Sequence, residues 1–241
     1  MNCYIYKSAE EMGSAAATII SSRVLEKKTS VLGLATGSTP VPVYQHMVKL
    51  YNEGVVDYSK VTTYNLDEYC GLSPEHEQSY YYFMMENLFR HINIPHSNIH
   101  VLNGLAGDVE AECNAYDAAI ERDGGIDLQL LGIGINGHIG FNEPGEAYIF
   151  STHKTTLTES TIEANKRFFG SADDVPRYAV TMGIGSIMKA RSVLLVATGK
   201  SKAQAIRDML LKDPSPACPA SVLQLHSNVT VMLDEAAARL L

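Results

Sequence analysis

Short apolar runs rich in β-branched residues alternate along this chain with longer segments in which apolar positions recur every three or four residues. Runs of the first kind are typical of strands, and the longer segments are typical of helices with one buried face. The predicted strands are Val31 to Ala35, Val61 to Leu66, Ile99 to Leu102, Ile126 to Ile133, Ala179 to Met182, Val193 to Ala197 and Val229 to Leu233. The predicted helices are Ala9 to Lys27, the segment with Val41, Tyr44, Val48 and Tyr51, Ser79 to Arg90, Val109 to Arg122, Thr161 to Phe169, Ile184 to Ala190, Lys202 to Leu211 and Ala220 to Leu225.

This alternation predicts an α/β fold with an open, mostly parallel, twisted sheet and helices on both faces, as in Rossmann-like proteins. The run Ile126 to Ile133 is apolar and has glycine-rich flanks, which is typical of a central strand buried on both faces. No linker-like stretch, low-complexity segment or internal repeat interrupts the pattern. We therefore expect residues 1–241 to form a single catalytic domain.

The charge balance restricts the partners that this chain can have. It carries 19 Lys and Arg against 27 Asp and Glu, a formal net charge of −8. No window holds the basic cluster that nucleic acid or an anionic membrane requires. No apolar run approaches the roughly 18 residues of a membrane span. We expect a cytoplasmic protein that acts on a small molecule, with neither nucleic acid nor membrane as a partner.

The cysteines and histidines give no sign of a metal or redox site. The cysteines are far apart and form no CxxC pair: Cys3, Cys70, Cys113 and Cys218. They are predicted to be reduced thiols, and the histidines lack the spacing of metal ligands.

The loop Thr36, Gly37, Ser38, Thr39 and Pro40 lies between a predicted strand and a predicted helix. Glycine lets the backbone approach a ligand, hydroxyls donate hydrogen bonds, and a helix N-terminus attracts anions. The loop therefore has the features of a phosphate site. The same residues also fit an ordinary Ser/Thr helix cap followed by proline, and the sequence leaves both interpretations open.

Asp67 follows the second predicted strand, within the string Asn65 to Tyr69. A carboxylate at that end of a strand, partly removed from water and close to a ligand, is placed to act as a general base. A capping or surface role is the alternative for any single aspartate.

The segment Gly132 to Pro144 is the densest in glycine. Gly132, Gly134 and Gly137 match GxGxxG, but the residues that follow break a helix, so a dinucleotide site is rejected. The remaining interpretation is a glycine-supported loop that presents His138 and Glu143. A carboxylate beside an imidazole suits proton transfer near neutral pH.

Basic side chains near strand ends are candidates to bind an anion. Lys202 and Lys200 follow one predicted strand, and Arg167 precedes two phenylalanines. The segment around Lys200 lacks the first glycine of a nucleotide-binding P-loop. A sugar phosphate remains possible as a ligand.

Five strings occur in order along the chain: LGLATGSTP from Leu32, NLDEY from Asn65, SYYYFM from Ser79, GHIGFNEPG from Gly137 and NKRFF from Asn165. In these strings the sequence resembles the glucosamine-6-phosphate deaminase family, the isomerising sugar-phosphate deaminases. The resemblance covers nearly the whole chain and is to the short form, without the C-terminal extension of longer members.

The resemblance implies a reaction in which glucosamine 6-phosphate and water give fructose 6-phosphate and ammonium, without metal or organic cofactor. It implies enolisation by Asp67 and ring opening by His138, supported by Glu143 and by Asn136. Longer members have an aspartate at the position of Asn136, and we expect this amide to orient His138 by a hydrogen bond. The implied phosphate site comprises Thr36, Gly37, Ser38, Thr39, Arg167 and Lys202. Whether the chain is a monomer or a homo-oligomer stays open.

Two other functions fit the same fold class. A 6-phosphogluconolactonase-like hydrolase would use the phosphate loop and a histidine-activated water, but it needs no base that reaches two carbons. A non-catalytic sugar-phosphate sensor would need a DNA-binding segment, for which the termini have neither room nor charge. Fold alone does not separate these functions.

Overall fold

The computed structural model describes residues 1–171 and 173–241. The strands in this part of the chain are β1 (Asn2–Tyr6), β2 (Val31–Leu34), β3 (Thr62–Asn65), β4 (Asp67–Tyr69), β5 (Ile99–His100), β6 (Leu128–Leu131), β7 (His153–Thr156), β8 (Tyr178–Thr181), β9 (Val193–Ala197) and β10 (Val229–Asp234). The α-helices are α1 (Ala9–Glu26), α2 (Val41–Asn52), α3 (Tyr80–Asn87), α4 (Val109–Arg122), α5 (Glu159–Asn165), α6 (Ile184–Met188) and α7 (Ala203–Leu211). Short 3₁₀ helices lie at Phe89–His91, His96–Asn98, Lys166–Phe168, Lys200–Lys202 and Pro219–Leu225.

A parallel sheet forms the centre of the fold, with the strand order β1, β10, β9, β6, β2, β3, β5. Every neighbouring pair in it is parallel. Strands β2, β6 and β9 are buried along their whole length, as expected of apolar strands covered on both faces. The predicted α/β class, with an open and mostly parallel sheet, is confirmed.

A second, antiparallel sheet with the order β4, β8, β7 was not predicted. The predicted strand Ala179 to Met182 corresponds to β8, which pairs antiparallel with both β4 and β7. Strand β4 is three residues long, and β7 alternates half-buried with exposed residues, so neither forms an apolar run. The edge strand β1 was missed for the same reason, since most of it is exposed.

The predicted helix Thr161 to Phe169 has different bounds in the structure. The side chain of Thr158 accepts a hydrogen bond from the Thr161 N–H and starts α5 two residues before the expected position. Beyond Asn165 the chain continues as the 3₁₀ helix Lys166–Phe168. The predicted helix Ala220 to Leu225 is likewise a 3₁₀ helix.

The chain passes from the main sheet to the small sheet at Leu66. The Leu66 N–H donates to the Leu34 carbonyl at 3.0 Å, and the Leu66 carbonyl accepts from the Met182 N–H at 2.6 Å. Asp67 then begins β4, opposite Thr181 of β8. This arrangement places Asp67 just beyond the carboxyl ends of β2 and β3, where open α/β sheets bind ligands.

Gly104 supports β4 through a close backbone approach. A Cβ atom at this residue would lie 2.0 Å from the carbonyl oxygen of Tyr69, which is backbone and cannot rotate away. We predict that Gly104→Ala lowers the free energy of unfolding in urea by about 3 kcal/mol, the upper range for overpacking. Gly107→Ala is the matched control, because a Cβ there meets nothing within 4 Å. Equal stability of the two variants would contradict the prediction.

Candidate active site

One cavity lies at the carboxyl edge of β2 and β3 and has a volume of about 160 Å³. It is lined by eight of the residues predicted from sequence: Thr36, Gly37, Ser38, Thr39, Asp67, His138, Arg167 and Lys202. The two other predicted residues, Asn136 and Glu143, do not line it and instead contact His138 or its neighbours. The structure therefore brings the two proposed proton-transfer groups and the proposed anion-binding groups into a single space.

The loop before α2 does not use its hydroxyls to cap the helix. Pro40 occupies the N-cap position of α2, and no side chain there accepts a hydrogen bond from the helix. Gly37 has a φ of +98°, a conformation that favours glycine. Within the described part of the chain, no side-chain hydrogen bond involves Thr36, Ser38 or Thr39. The loop therefore points hydrogen-bonding groups into the cavity near an uncapped helix N-terminus, as the phosphate interpretation requires.

Lys202 supplies a positive charge in this part of the cavity. It is the last residue of the 3₁₀ helix Lys200–Lys202, which follows the carboxyl end of β9. Burial, together with the nearby charge of Arg167, lowers the pKa of Lys202 to about 8. Two cations held close together and partly removed from water favour an anion between them. Lys200, the other lysine considered, is exposed.

Asp67 faces the cavity with a carboxyl that is only 5% exposed. Burial, together with the neighbouring charge of Glu68, raises the pKa of Asp67 to about 8. Among the described residues, no group donates a hydrogen bond to this carboxyl. A carboxylate that is neither solvated nor hydrogen-bonded is a stronger base than one in water.

Glu68 points away from Asp67, as strand alternation requires. Its carboxylate accepts hydrogen bonds from the backbone N–H groups of Tyr69 at 2.8 Å, Tyr80 at 3.0 Å and Tyr81 at 3.0 Å. It therefore caps the N-terminus of α3, where negative charge is stabilising. Glu68, and not Asp67, therefore has the capping role that the sequence left as an alternative for Asp67.

Two contacts anchor the glycine loop beside Asp67. The Phe141 N–H donates to the Thr181 hydroxyl at 3.0 Å, and the Asn142 amide donates to the Met182 carbonyl at 2.9 Å. Since Thr181 pairs with Asp67 in the small sheet, β8 holds both parts of the site. A Cβ on Gly140 would lie 3.5 Å from Oδ2 of Asp67, which shows how closely the two segments approach. No helix follows this loop before α5, in agreement with the rejection of a dinucleotide site.

His138 is held on one side by a carboxylate. Its Nδ1 lies 3.3 Å from Oε2 of Glu143. Burial raises the pKa of Glu143, but hydrogen bonds from His138, Thr161 and Asn136 outweigh this effect and bring it to about 2. Glu143 therefore stays ionised at neutral pH, directs a proton of the imidazole to Nδ1, and leaves Nε2 as the nitrogen for a ligand.

Asn136 forms the expected hydrogen bond with His138, and in the described residues this bond is to the His138 backbone. Its amide nitrogen donates to Oε2 of Glu143 at 2.8 Å, and its Oδ1 accepts from the backbone N–H of His138 at 3.2 Å. The residues lie two apart in a tight turn, so the Asn136 side chain folds back onto the backbone and reaches the carboxylate. Asn136 acts on the imidazole through Glu143.

Two features of the site were not identified from sequence. The hydroxyl of Thr161, on α5, donates to Oε1 of Glu143 at 2.5 Å. The ring of Tyr80 lines the cavity and stacks on Phe141, with centroids 5.9 Å apart. Neither had a detectable signal, because Thr161 lies 18 residues from Glu143 in sequence, and SYYYFM offers three equivalent tyrosines.

Gly134 makes room for the catalytic imidazole proposed here. Its N–H donates to the His138 carbonyl at 2.8 Å, and a Cβ would lie 2.5 Å from three atoms of the imidazole ring.

We predict that Gly134→Ala displaces the His138 ring, so that nuclear Overhauser contacts between His138 and Phe141 are lost. The unfolding free energy should fall by about 1–3 kcal/mol, as for other overpacked sites. Gly145→Ala in the same loop is the control, since a Cβ there meets nothing nearer than 3.9 Å. Retention of the ring contacts in Gly134→Ala would refute this role for the glycine.

Comparison with known proteins identifies the family to which this chain belongs. Residues 6–232 match the family described as glucosamine-6-phosphate isomerases/6-phosphogluconolactonase. A glucosamine-6-phosphate deaminase of Thermoanaerobacter sp. (strain X514) is 55% identical over 241 residues, covering 100% of this chain and 95% of the relative. One from Clostridium perfringens (strain ATCC 13124) is also 55% identical, and the match covers 100% of both chains.

Solved structures show the same relationship. The structure of a monomeric glucosamine-6-phosphate deaminase superposes with a TM-score of 0.98 at 45% identity and covers 100% of both chains. A 6-phosphogluconolactonase from Trypanosoma cruzi has a TM-score of 0.79 at 18% identity, covers 99% of this chain and 96% of its own, and shows a shared fold. The chain therefore belongs to the family of glucosamine-6-phosphate isomerases and 6-phosphogluconolactonases, and within this family its similar relatives named above at 45–55% identity are glucosamine-6-phosphate deaminases.

Proposed function

We propose that this protein is a glucosamine-6-phosphate deaminase, which converts glucosamine 6-phosphate and water to fructose 6-phosphate and ammonium. The observation that carries the proposal is that Asp67 and His138 line one cavity together with Arg167 and Lys202. Relatives that are 55% identical over the full chain bear the name of this activity. The cavity thus combines an anion grip with two separate proton-transfer groups.

The phosphate of the substrate would bind between the loop Thr36 to Thr39, Arg167 and Lys202. Backbone N–H groups, hydroxyls and cations around one end of the cavity all favour a dianion. Holding the phosphate fixes the position of the sugar chain, which lowers the entropic cost of aligning its other end with the reacting groups.

Ring opening moves a proton from the anomeric hydroxyl of the sugar to its ring oxygen, so the catalytic group must first accept a proton and then donate it. His138 is suited to it, because Glu143 holds Nδ1 and leaves Nε2 for the substrate. The ionised carboxylate of Glu143 also stabilises the imidazolium that forms when the His138 imidazole accepts a proton. Asn136 and Thr161 hold Glu143 rather than the substrate.

Asp67 would then move a proton between C2 and C1 of the open chain. One carboxylate that reaches both carbons is sufficient, since the enediol-like intermediate presents both on one face. Its raised pKa of about 8 brings its basicity closer to that of the carbon acid. Protonation of C1 leaves an imine at C2, which water hydrolyses to the ketone and ammonium, so the reaction needs no electron-sink cofactor.

We place this reaction in the cytoplasm and in one catalytic unit spanning residues 1–241. The four cysteines are all free thiols, which fits a reducing compartment. In the described residues, no helix is both long and apolar enough to cross a bilayer.

The direct test is an assay of the purified protein with two substrates, glucosamine 6-phosphate and 6-phosphogluconolactone. Release of ammonium and ketose from the first supports the deaminase. Release of acid from the second, without ammonium from the first, would instead support the lactone hydrolase.

Asp67→Asn is predicted to lower ammonium release by at least about 1,000-fold, because the amide cannot accept the proton. Binding of an open-chain alcohol analogue, 2-amino-2-deoxyglucitol 6-phosphate, should remain within about threefold, because an isosteric amide leaves the cavity shape unchanged. Unchanged turnover in this variant would remove Asp67 as the base.

The wild-type pH profile follows from the same group. Only the carboxylate form of Asp67 is a base, and this form disappears as the pH falls through about 8. We expect kcat/KM to decrease about tenfold per pH unit on the acidic side. A profile of kcat/KM that is flat between about pH 6 and pH 8 would contradict the raised pKa of Asp67.

Loss of the Lys202 proton should lower the affinity for phosphate at alkaline pH. Its ammonium form is present below its pKa of about 8 and is lost as the pH rises through that value. The affinity for inorganic phosphate, measured by calorimetry from about pH 8 to 9.5, should therefore fall with rising pH, since phosphate is mostly a dianion over this range. Lys202→Arg should flatten the curve, and Lys202→Ala should weaken binding throughout. Identical curves for wild type and Lys202→Arg would refute the assignment.

A further inference from the structure

The Glu143 carboxylate is gripped at both of its oxygens. Asn136 donates to Oε2 at 2.8 Å, and this oxygen also faces Nδ1 of His138 at 3.3 Å. Thr161 donates to the other oxygen, Oε1, at 2.5 Å. Two donors on different oxygens fix the plane of a carboxylate, whereas one donor leaves it free to turn about the Cγ–Cδ bond.

Thr161 is itself held rigidly. It is 3% exposed, and its backbone N–H and hydroxyl both meet the side chain of Thr158, the N-cap of α5. The Thr158 hydroxyl donates to Oγ1 of Thr161 at 3.1 Å. A hydroxyl has one proton, so the chain of donors runs from Thr158 to Thr161 and ends on Glu143.

The imidazole lies within reach of the same hydroxyl. Oγ1 of Thr161 is 3.5 Å from Nδ1 of His138. Because its proton is used on Glu143, this oxygen presents only lone pairs to the ring, and lone pairs favour a ring nitrogen that carries hydrogen. Thr161 therefore supports the Nδ1–H form in two ways, directly and through the carboxylate.

We propose that Thr161 is a positioning residue that clamps Glu143 and thereby holds His138 in the Nδ1–H tautomer with Nε2 free for the substrate. This inference rests on the proposed function for its kinetic consequence but not for its structural one. It assigns to α5 an indirect part in ring opening, through Glu143 and His138, separate from the anion binding proposed for Arg167.

The structural test is the tautomer of His138 in the resting protein. Long-range ¹H–¹⁵N correlation spectra of labelled protein report it, and comparison with His138→Gln identifies the signal among the 8 histidines. Thr161→Val keeps the branched shape but removes the hydroxyl, so the Nδ1–H form should give way to a mixture. Thr161→Ser should restore the wild-type spectrum.

Turnover supplies the second readout. Thr161→Val should lower kcat for glucosamine 6-phosphate by about 10- to 100-fold, part of what a general acid contributes, with KM within about threefold. Binding of 2-amino-2-deoxyglucitol 6-phosphate, which needs no ring opening, should be unchanged. Thr152→Val is the matched control, because it also removes a buried hydroxyl that donates to a carboxylate, that of Asp117 at 2.6 Å, but has no part in the grip on Glu143, and it should keep kcat.

The outcomes separate this inference from the proposed function. An unchanged tautomer in Thr161→Val overturns the inference, as does equal loss of kcat in Thr161→Ser or Thr152→Val. If the wild-type protein releases no ammonium, the proposed function fails, and the tautomer measurement alone then decides the role of Thr161.

Discussion

The pairing of β4 with β8 is the constraint on which the site depends. Asp67 lies opposite Thr181 in this pairing, and the Thr181 hydroxyl accepts the N–H of Phe141 from the glycine loop. One strand thus fixes the distance between two segments that are far apart in sequence. The main sheet provides the edge at which a ligand binds, but the small sheet brings the carboxyl group and the imidazole together over that edge.

The site also gives two carboxyl groups opposite properties through their surroundings. Asp67 is buried, no residue in the described part of the chain donates a hydrogen bond to its carboxyl, and its pKa rises to about 8. Glu143 is also buried but accepts hydrogen bonds from three side chains, and its pKa falls to about 2. Environments that separate the pKa values of similar groups are typical of sites where those groups have different roles. Here one carboxyl is suited to exchange a proton and the other to remain charged beside an imidazole.

Most of the main sheet was predictable because burial on both faces produces apolar runs. Strand β9 and helix α4 have the predicted bounds, since each has a continuous pattern and α4 begins at a capping aspartate. The strands that were missed are short or exposed, and they are specified by pairing rather than by local composition. Strand β4 is an example, because its sequence Asp-Glu-Tyr becomes extended only against β8.

The sequence by itself determined the fold class and the chemical groups of the site. The strings after β2 and β3 and in the glycine loop identified Asp67, His138 and the phosphate loop, because strand ends and glycine turns are local features. Tertiary structure alone decided that Asn136 contacts Glu143, that Glu68 caps α3, and that Thr161 completes the grip on the carboxylate. The contacts of Glu68 and Thr161 join different elements, and the direction in which each of these side chains points depends on packing that no local pattern encodes.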